Sequence, residues 1–158
     1  MKIAIVKYNA GNTASVTNAL CRLGVDSVIT DDHAELKAAD KIIFPGVGEA
    51  SSAMAYLRST GLDEVIGSLR QPFLGICLGM QLLCTATEEN DARCLGVIPL
   101  QVRKFSAGEL KVPQIGWNTI DRLASPLFEG IAAGSYVYFV HGYYVESGPE
   151  TVATAEYG

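Results

Sequence analysis

Pro72-Phe73-Leu74-Gly75-Ile76-Cys77-Leu78-Gly79-Met80-Gln81-Leu82-Leu83-Cys84 decides how this chain reads. A short apolar run leads into Gly75-x-Cys77-x-Gly79, and a helix-like segment follows. Strand, abrupt turn, helix is the setting of a nucleophile elbow, here with sulfur in place of serine oxygen. So sharp a turn presses backbone against backbone, and the positions two before and two after the nucleophile need residues without a Cβ. The thiol then stands at the amino end of a helix, where unpaired N–H groups and the helix dipole favour thiolate. Cys77 is expected to be a nucleophile.

The other three cysteines read differently. Free cysteines usually act as small buried hydrophobes, and Cys21, inside Val16-Thr17-Asn18-Ala19-Leu20-Cys21-Arg22-Leu23, is expected to be one. Cys84, two helical turns past Cys77, is expected to pack as well. Cys94 follows the polar stretch Glu88-Glu89-Asn90-Asp91-Ala92-Arg93 and shows no task. The four cysteines lack the spacing of a disulfide framework, and His33 and His141, the only histidines, do not complete a zinc site.

Upstream of the elbow, strand and helix signals alternate. Ile3 to Val6 is a continuous apolar run, as in a strand buried on both faces. Tyr8-Asn9-Ala10-Gly11-Asn12 is a turn, with Asn12 or Thr13 capping a helix to about Leu23. Val25–Thr30 reads as strand, Ala34–Ala39 as a short helix, and Lys41–Phe44 as a strand stopped by Pro45-Gly46. Ala50–Arg58 and Leu62–Leu69 read as helices separated by Gly61. This alternation implies a doubly wound, flavodoxin-like α/β fold with a mostly parallel sheet and helices on both faces. Beyond Leu95 the texture changes. Gly96–Val102, Lys111–Pro113, Tyr136–Val140 and Thr151–Ala155 read as strands without helices, expected to add antiparallel strands to that sheet.

Composition bounds the function. A chain of 158 residues, 49% hydrophobic and 18% charged, suits one globular domain with a sizeable core. The net charge of −5, with no basic run longer than Arg103-Lys104, argues against nucleic acid as a partner. No apolar stretch reaches membrane-spanning length, and the sequence opens on a strand rather than a signal peptide. A reducing cytoplasm is the expected location, with no membrane partner.

Further candidates cluster at one edge of the expected sheet. Pro45-Gly46-Val47-Gly48 ends the third strand at the carboxyl edge, where ligands bind in open α/β sheets. Its N–H groups, with that of Leu78, could face a developing oxyanion; the turn could equally be an ordinary connection. Gln81 lies one turn beyond Cys77 on the same helical face, placed either to hold a substrate or to satisfy local backbone. His141 closes an apolar strand before Gly142-Tyr143-Tyr144 and reads equally as structural or as a catalytic base. His33, at a helix start, reads as a solvated surface residue. The Tyr8–Asn12 turn has one glycine where a dinucleotide loop needs three, which leaves a turn-forming or partner-contact role.

Taken together, Pro45-Gly46-Val47-Gly48, Gly75–Gln81 and Val140-His141-Gly142-Tyr143 resemble the class I (triad) glutamine amidotransferases. The start Ile5–Asn12, the Met80-Gln81 pair and Lys111-Val112-Pro113-Gln114-Ile115-Gly116-Trp117-Asn118 are similar to one branch, the glutaminase subunits of imidazole glycerol phosphate synthases. The resemblance runs over residues 1–158. It implies that Cys77 attacks the side-chain amide of glutamine while the N–H groups of Leu78 and the Val47-Gly48 peptide hold the oxyanion. It implies substrate contacts from Gly46, Gln81, His141, Gly142 and Tyr143. It also implies a heterodimer with a (β/α)8 cyclase subunit, met through Asn12, Trp117 and Tyr138, to which ammonia passes for imidazole glycerol phosphate and aminoimidazole carboxamide ribotide synthesis in histidine biosynthesis. No metal or cofactor is implied.

Two departures accompany the resemblance. Relatives tend to carry a hydroxyl side chain at the place of Gly142. The family's base and orienting acid come as a His-x-Glu pair in a late strand, roughly twenty-odd residues beyond a segment like Ala155-Glu156-Tyr157-Gly158. The expectation is a single amidotransferase domain, residues 1–158, lacking its catalytic His and Glu and its last strands and helix. The competing readings are a vitamin B6-pathway glutaminase, another cysteine hydrolase of this fold, and a catalytically silent scaffold subunit.

Overall fold

The computed structural model describes residues 1–106, 108 and 110–158. Its first half alternates as expected: β1 (Ile3–Val6), α1 (Thr13–Arg22), β2 (Ser27–Thr30), α2 (His33–Ala38), β3 (Lys41–Gly46), α3 (Ala50–Thr60), α4 (Leu62–Ser68), β4 (Phe73–Cys77) and α5 (Leu78–Leu83). The four strands form one wholly parallel sheet in the order β2-β1-β3-β4. Local chemistry sets the helix ends. The Asn12 side chain accepts from Ser15 N–H and that of Asp32 from Ala34 and Glu35, while Gly61, at φ 69°, closes α3 in the left-handed region.

One face of the sheet carries the main core. Ala4 and Val6 of β1 and Ile42 and Phe44 of β3 meet Leu36 of α2, Met54 and Leu57 of α3, Leu62 and Ile66 of α4, and Leu78 and Leu82 of α5. Phe44 is completely buried, its ring 5.1 Å from Tyr8 and 6.0 Å from Phe73. Burying each such side chain contributes about 1.5–3 kcal/mol. The register Ile29–Ile5–Ile43–Leu74 runs across the sheet. β4 is an edge strand among the described residues, with Leu74 and Ile76 exposed.

Several expectations need correcting. Pro45-Gly46 does not stop β3, which pairs Pro45 with Ile76 and Gly46 with Cys77. The amide nitrogen and carbonyl of a strand residue point the same way; at Pro45 that side faces away from β4, beyond the last β1 pairing at Ile43. The missing N–H therefore costs no ladder bond. The strands past the elbow form two further sheets rather than joining the parallel one. One, in the order β10-β7-β5-β6, joins β5 (Ala86–Thr87), β6 (Ala92–Arg93), β7 (Gln101–Lys104) and β10 (Tyr143–Val145). The other pairs β8 (Gln114–Ile120) with β9 (Ser135–His141), antiparallel.

The remaining differences have local causes. Gly96–Leu100 is not strand, because its amides serve the open end of α5: Leu95, Gly96 and Ile98 donate to Leu82, Cys84 and Leu83 carbonyls at 2.8–2.9 Å. Lys111–Pro113 is not strand either; Pro113 has no N–H to donate, and the ladder starts at Gln114. Within Thr151–Ala155 only Thr154 pairs, with Asp121 just past the end of β8. Cys21, expected to be packed, is exposed on an α1 that contains no fully buried residue. Cys94, expected in a polar loop, is buried beside α5.

Backbone packs tightly against backbone at the elbow. A Cβ on Gly79 would clash with the Phe44 carbonyl oxygen, and one on Gly75 would stand 2.7 Å from Met80 Cα. Gly79→Ala is therefore expected to lower stability by about 3 kcal/mol or more, read from the urea midpoint. Gly67→Ala, where a Cβ meets nothing within 4 Å, is the control and should be neutral or mildly stabilising. Equal, small effects of both substitutions would contradict the tight packing.

Candidate active site

Cys77 stands where β4 becomes α5, with φ 53° and ψ −118°. Positive φ at a non-glycine residue costs about 1–3 kcal/mol and persists only where the surroundings enforce it. Here they do: Gly75 and Gly79 let α5 lie directly on β3 and β4, which leaves the intervening residue no relaxed path. The strain turns Cys77 outward, and its side chain is exposed. Cys84 and Cys94 are the opposite case, since burial pushes both thiols up to about 11 and keeps them protonated.

Gly46 is paired with Cys77 across the β3–β4 ladder, and Val47 and Gly48 follow directly after that pair. A Cβ on Gly46 would strike Gly79 N and lie 2.7 Å from both Leu78 Cβ and the Tyr8 hydroxyl. Gly48 has φ 110° with open space around it, and Val47 is 55% exposed. The next residue, Glu49, caps α3: its carboxylate accepts from Ser51 N–H at 2.7 Å, Ser52 N–H at 2.9 Å and Asn90 Nδ2 at 3.0 Å. Glu89 accepts from Ala50 N–H at 2.8 Å. Hydrogen bonds from Ser51 and Ser52 hold the Glu49 carboxyl at about 2, below its usual 4.5.

A second group approaches from the later strands. Gln81 is buried, and its Nε2 donates to the Tyr143 carbonyl at 3.4 Å. His141 Nδ1 lies 2.7 Å from the same carbonyl, and its Nε2 lies 2.8 Å from Gln114 Oε1. Both ring nitrogens are thus occupied: Nδ1 donates, and Nε2 either donates to Gln114 or accepts from its amide with the group turned over. His141 is a structural brace here, and no ring nitrogen is left to take a proton from Cys77. Gly142 offers backbone alone, its carbonyl accepting from Phe105 N–H at 3.2 Å. Burial and, after it, the carboxylates Glu89, Glu88 and Glu49 raise the Tyr143 phenol.

His33 is not a base for Cys77 either. His33-Ala34-Glu35 does spell His-x-Glu, yet it opens α2, and His33 Nε2 contacts the Thr60 carbonyl at 3.2 Å. β2, which leads into α2, and β4 are opposite edges of the sheet. Surface hollows lined by Met1–Ile3 with Asp26–Val28, and by His33, Lys37 and Gly61, also lie away from the thiol.

Asn12, Trp117 and Tyr138 are all exposed. Trp117 and Tyr138 are directly opposed across β8–β9, their rings 5.5 Å apart and edge to face. Ile115, Tyr136 and Val140 extend the same face, each more than half exposed. Four residues escaped the sequence reading as site components: Tyr8, Glu49, Glu89 and Gln114. Tyr8, Gln114 and Glu89 stood within stretches that had been quoted, and Glu49 did not.

The elbow thus sets an exposed thiol on a strained residue opposite the glycine turn, at the end of a parallel α/β sheet. The chain belongs to the class-I glutamine amidotransferase family, whose model matches residues 4–157. It is 54% identical over 159 residues to the imidazole glycerol phosphate synthase subunit HisH of Bacteroides fragilis (strain YCH46), covering 99% of this chain and 81% of that one. It is 42% identical to the protein of the same name from Shewanella loihica, covering 98% and 73%. Among solved structures, a glutamine amidotransferase superposes with a TM-score of 0.74 at 18% identity, covering 96% and 78%. PurLQS from Thermotoga maritima gives 0.64 at 19%, covering 99% and 75%. These two structures show the shared fold.

The Glu49 carboxyl carries a pH signature. Its value falls on folding, so its contribution is present above 4.5 and is lost as pH drops toward about 2. Glu49→Gln should therefore be less stable than the parent near neutrality, with the gap closing in acid. Urea midpoints across that range check this, and a gap independent of pH would contradict it.

Proposed function

We propose that this chain is the glutaminase subunit of an imidazole glycerol phosphate synthase, hydrolysing glutamine at Cys77 and passing the ammonia to a cyclase subunit. The observation that carries the reading is the exposed, strained Cys77 paired through β3–β4 with Gly46 of the glycine turn. The 54% identity to HisH supports the choice within the family.

The chemistry follows from the placement. The Cys77 sulfur, relieved of its proton, attacks the side-chain carbonyl carbon of glutamine, and a C–S bond forms as the oxygen takes negative charge. The N–H groups of Leu78 and Gly48 serve that oxyanion; removing one such donor typically costs about 10²–10³ in rate. The proton taken from sulfur goes to the leaving nitrogen, the C–N bond breaks, and ammonia departs. Water then adds to the thioester, releasing glutamate and restoring the thiol. Gln81 and the Gly142-Tyr143 backbone, braced by His141, line the substrate side. Both histidines of the chain have other partners, so neither takes that proton from sulfur in this arrangement.

The exposed face centred on Trp117 and Tyr138, with Asn12, is the surface for the cyclase subunit. Aromatic residues of this kind dominate interface energetics. No helix among the described residues is long and apolar enough to cross a membrane.

The full-length chain with its cyclase partner tests the reading. Cys77→Ala should abolish glutamine-dependent synthesis, by more than about 10³-fold, and leave ammonia-dependent synthesis intact. Trp117→Asp should leave the subunit folded but remove the rise in ammonia production that the partner brings. Equal loss of both activities in Cys77→Ala would make Cys77 structural. A glutaminase whose output ignores the cyclase partner would favour another amidotransferase of this fold.

A further inference from the structure

We propose that Tyr8 is a positioning residue for amide hydrolysis: its hydroxyl fixes the Pro45–Gly46 peptide and thereby aims the Gly48 N–H at the oxyanion. The inference rests on the glutaminase reading above and adds to it a residue from the first strand–helix loop.

The glycine turn needs an external restraint. Open space surrounds Gly48, and Val47 is half exposed, so side-chain packing does not hold the turn in place. Its downstream end is tied by Glu49 capping α3 and by Glu89 on Ala50 N–H. Its upstream end leaves the β1–β3 ladder after Ile43, two residues before Pro45. Pro45 has no N–H, so its carbonyl is its only backbone hydrogen-bonding group on that side. The Tyr8 hydroxyl donates to this carbonyl at 2.9 Å, where the ladder would otherwise have continued.

The donor is well held. The Tyr8 ring packs 5.1 Å from Phe44, which is completely buried. Its hydroxyl lies 2.7 Å from the place a Gly46 Cβ would occupy, so only glycine lets the phenol reach this peptide. Burial, and after it negative charge on Cys77, pushes the phenol above its ordinary range, so it remains a donor throughout the working pH. With the carbonyl pinned on one side and Gly46 laddered to Cys77 on the other, the peptide plane entering the turn has one orientation. A displacement of about 1 Å at a reacting group can cost on the order of 10²-fold in rate.

The test uses the full-length chain bound to its cyclase partner. Tyr8→Phe keeps the ring and deletes the donor. It should lower kcat for glutamine by about 10- to 100-fold with KM within about twofold, and leave ammonia-dependent synthesis unchanged. Alkylation of Cys77 by iodoacetamide, which needs no oxyanion donor, should stay within about threefold of the parent rate. A kcat within about twofold of the parent overturns the proposal. So does a parallel collapse of alkylation and turnover, which would make Tyr8 a generic packing residue. Should Tyr8→Phe unfold, Tyr8→4-aminophenylalanine and Tyr8→4-fluorophenylalanine fill the hydroxyl's place with and without a donor, and only the second should lose kcat by about 10- to 100-fold. Parent-like kcat in the 4-fluorophenylalanine form overturns the proposal. Cys77→Ala run alongside separates the two readings: if it retains glutamine-dependent synthesis the glutaminase reading fails, whereas its loss with a normal Tyr8→Phe defeats only the positioning role.

Discussion

Backbone-to-backbone contact between β3 and the first turn of α5 is the constraint on which the site depends. Gly79 lies so close to the Phe44 carbonyl, and Gly46 so close to Gly79 N, that no side chain fits at either place. That contact drives the chain through a left-handed conformation at Cys77 and leaves its sulfur facing out. The same contact sets Gly46 opposite Cys77, so a nucleophile and a glycine turn arrive together from strands more than thirty residues apart in sequence. The core supplies the force: Phe44, Leu78 and Leu82 are buried beneath the elbow, and their burial offsets the strain stored above them.

The later strands supply the opposite wall and divide their two faces between tasks. Alternation along β8–β9 puts Gln114 and His141 on one side, where they brace the Tyr143 carbonyl that Gln81 also contacts. It puts Ile115, Trp117, Tyr138 and Val140 on the other, exposed. A protein docking on that aromatic face would bear on the sheet that carries the substrate wall, with side chains of period two as the link.

The elbow was legible in the sequence because its requirement is local: two glycines flanking a cysteine, between an apolar run and a helix. The parallel half was legible for the same reason, through apolar runs and caps such as Asn12 and Asp32. Tyr8 was not, because a phenol reaching the Pro45 carbonyl is a contact across 37 positions with no local signature. His141 stayed ambiguous until both its nitrogens had partners. The strand signals beyond Leu95 failed where proline, or the open carbonyls of α5, gave the backbone other partners. The burial of Cys94 was not legible because its neighbours in sequence are polar while its neighbours in space are not.

On the proposed glutaminase chemistry, the elbow presents sulfur and oxyanion donors to one carbonyl carbon. This is tested most directly by a crystal structure of the full-length chain with Cys77 bonded to the aldehyde analogue of glutamine. The tetrahedral oxygen of that adduct should lie about 2.7–3.1 Å from the N–H groups of both Leu78 and Gly48. An adduct whose oxygen points to solvent, with neither amide near it, would contradict the account.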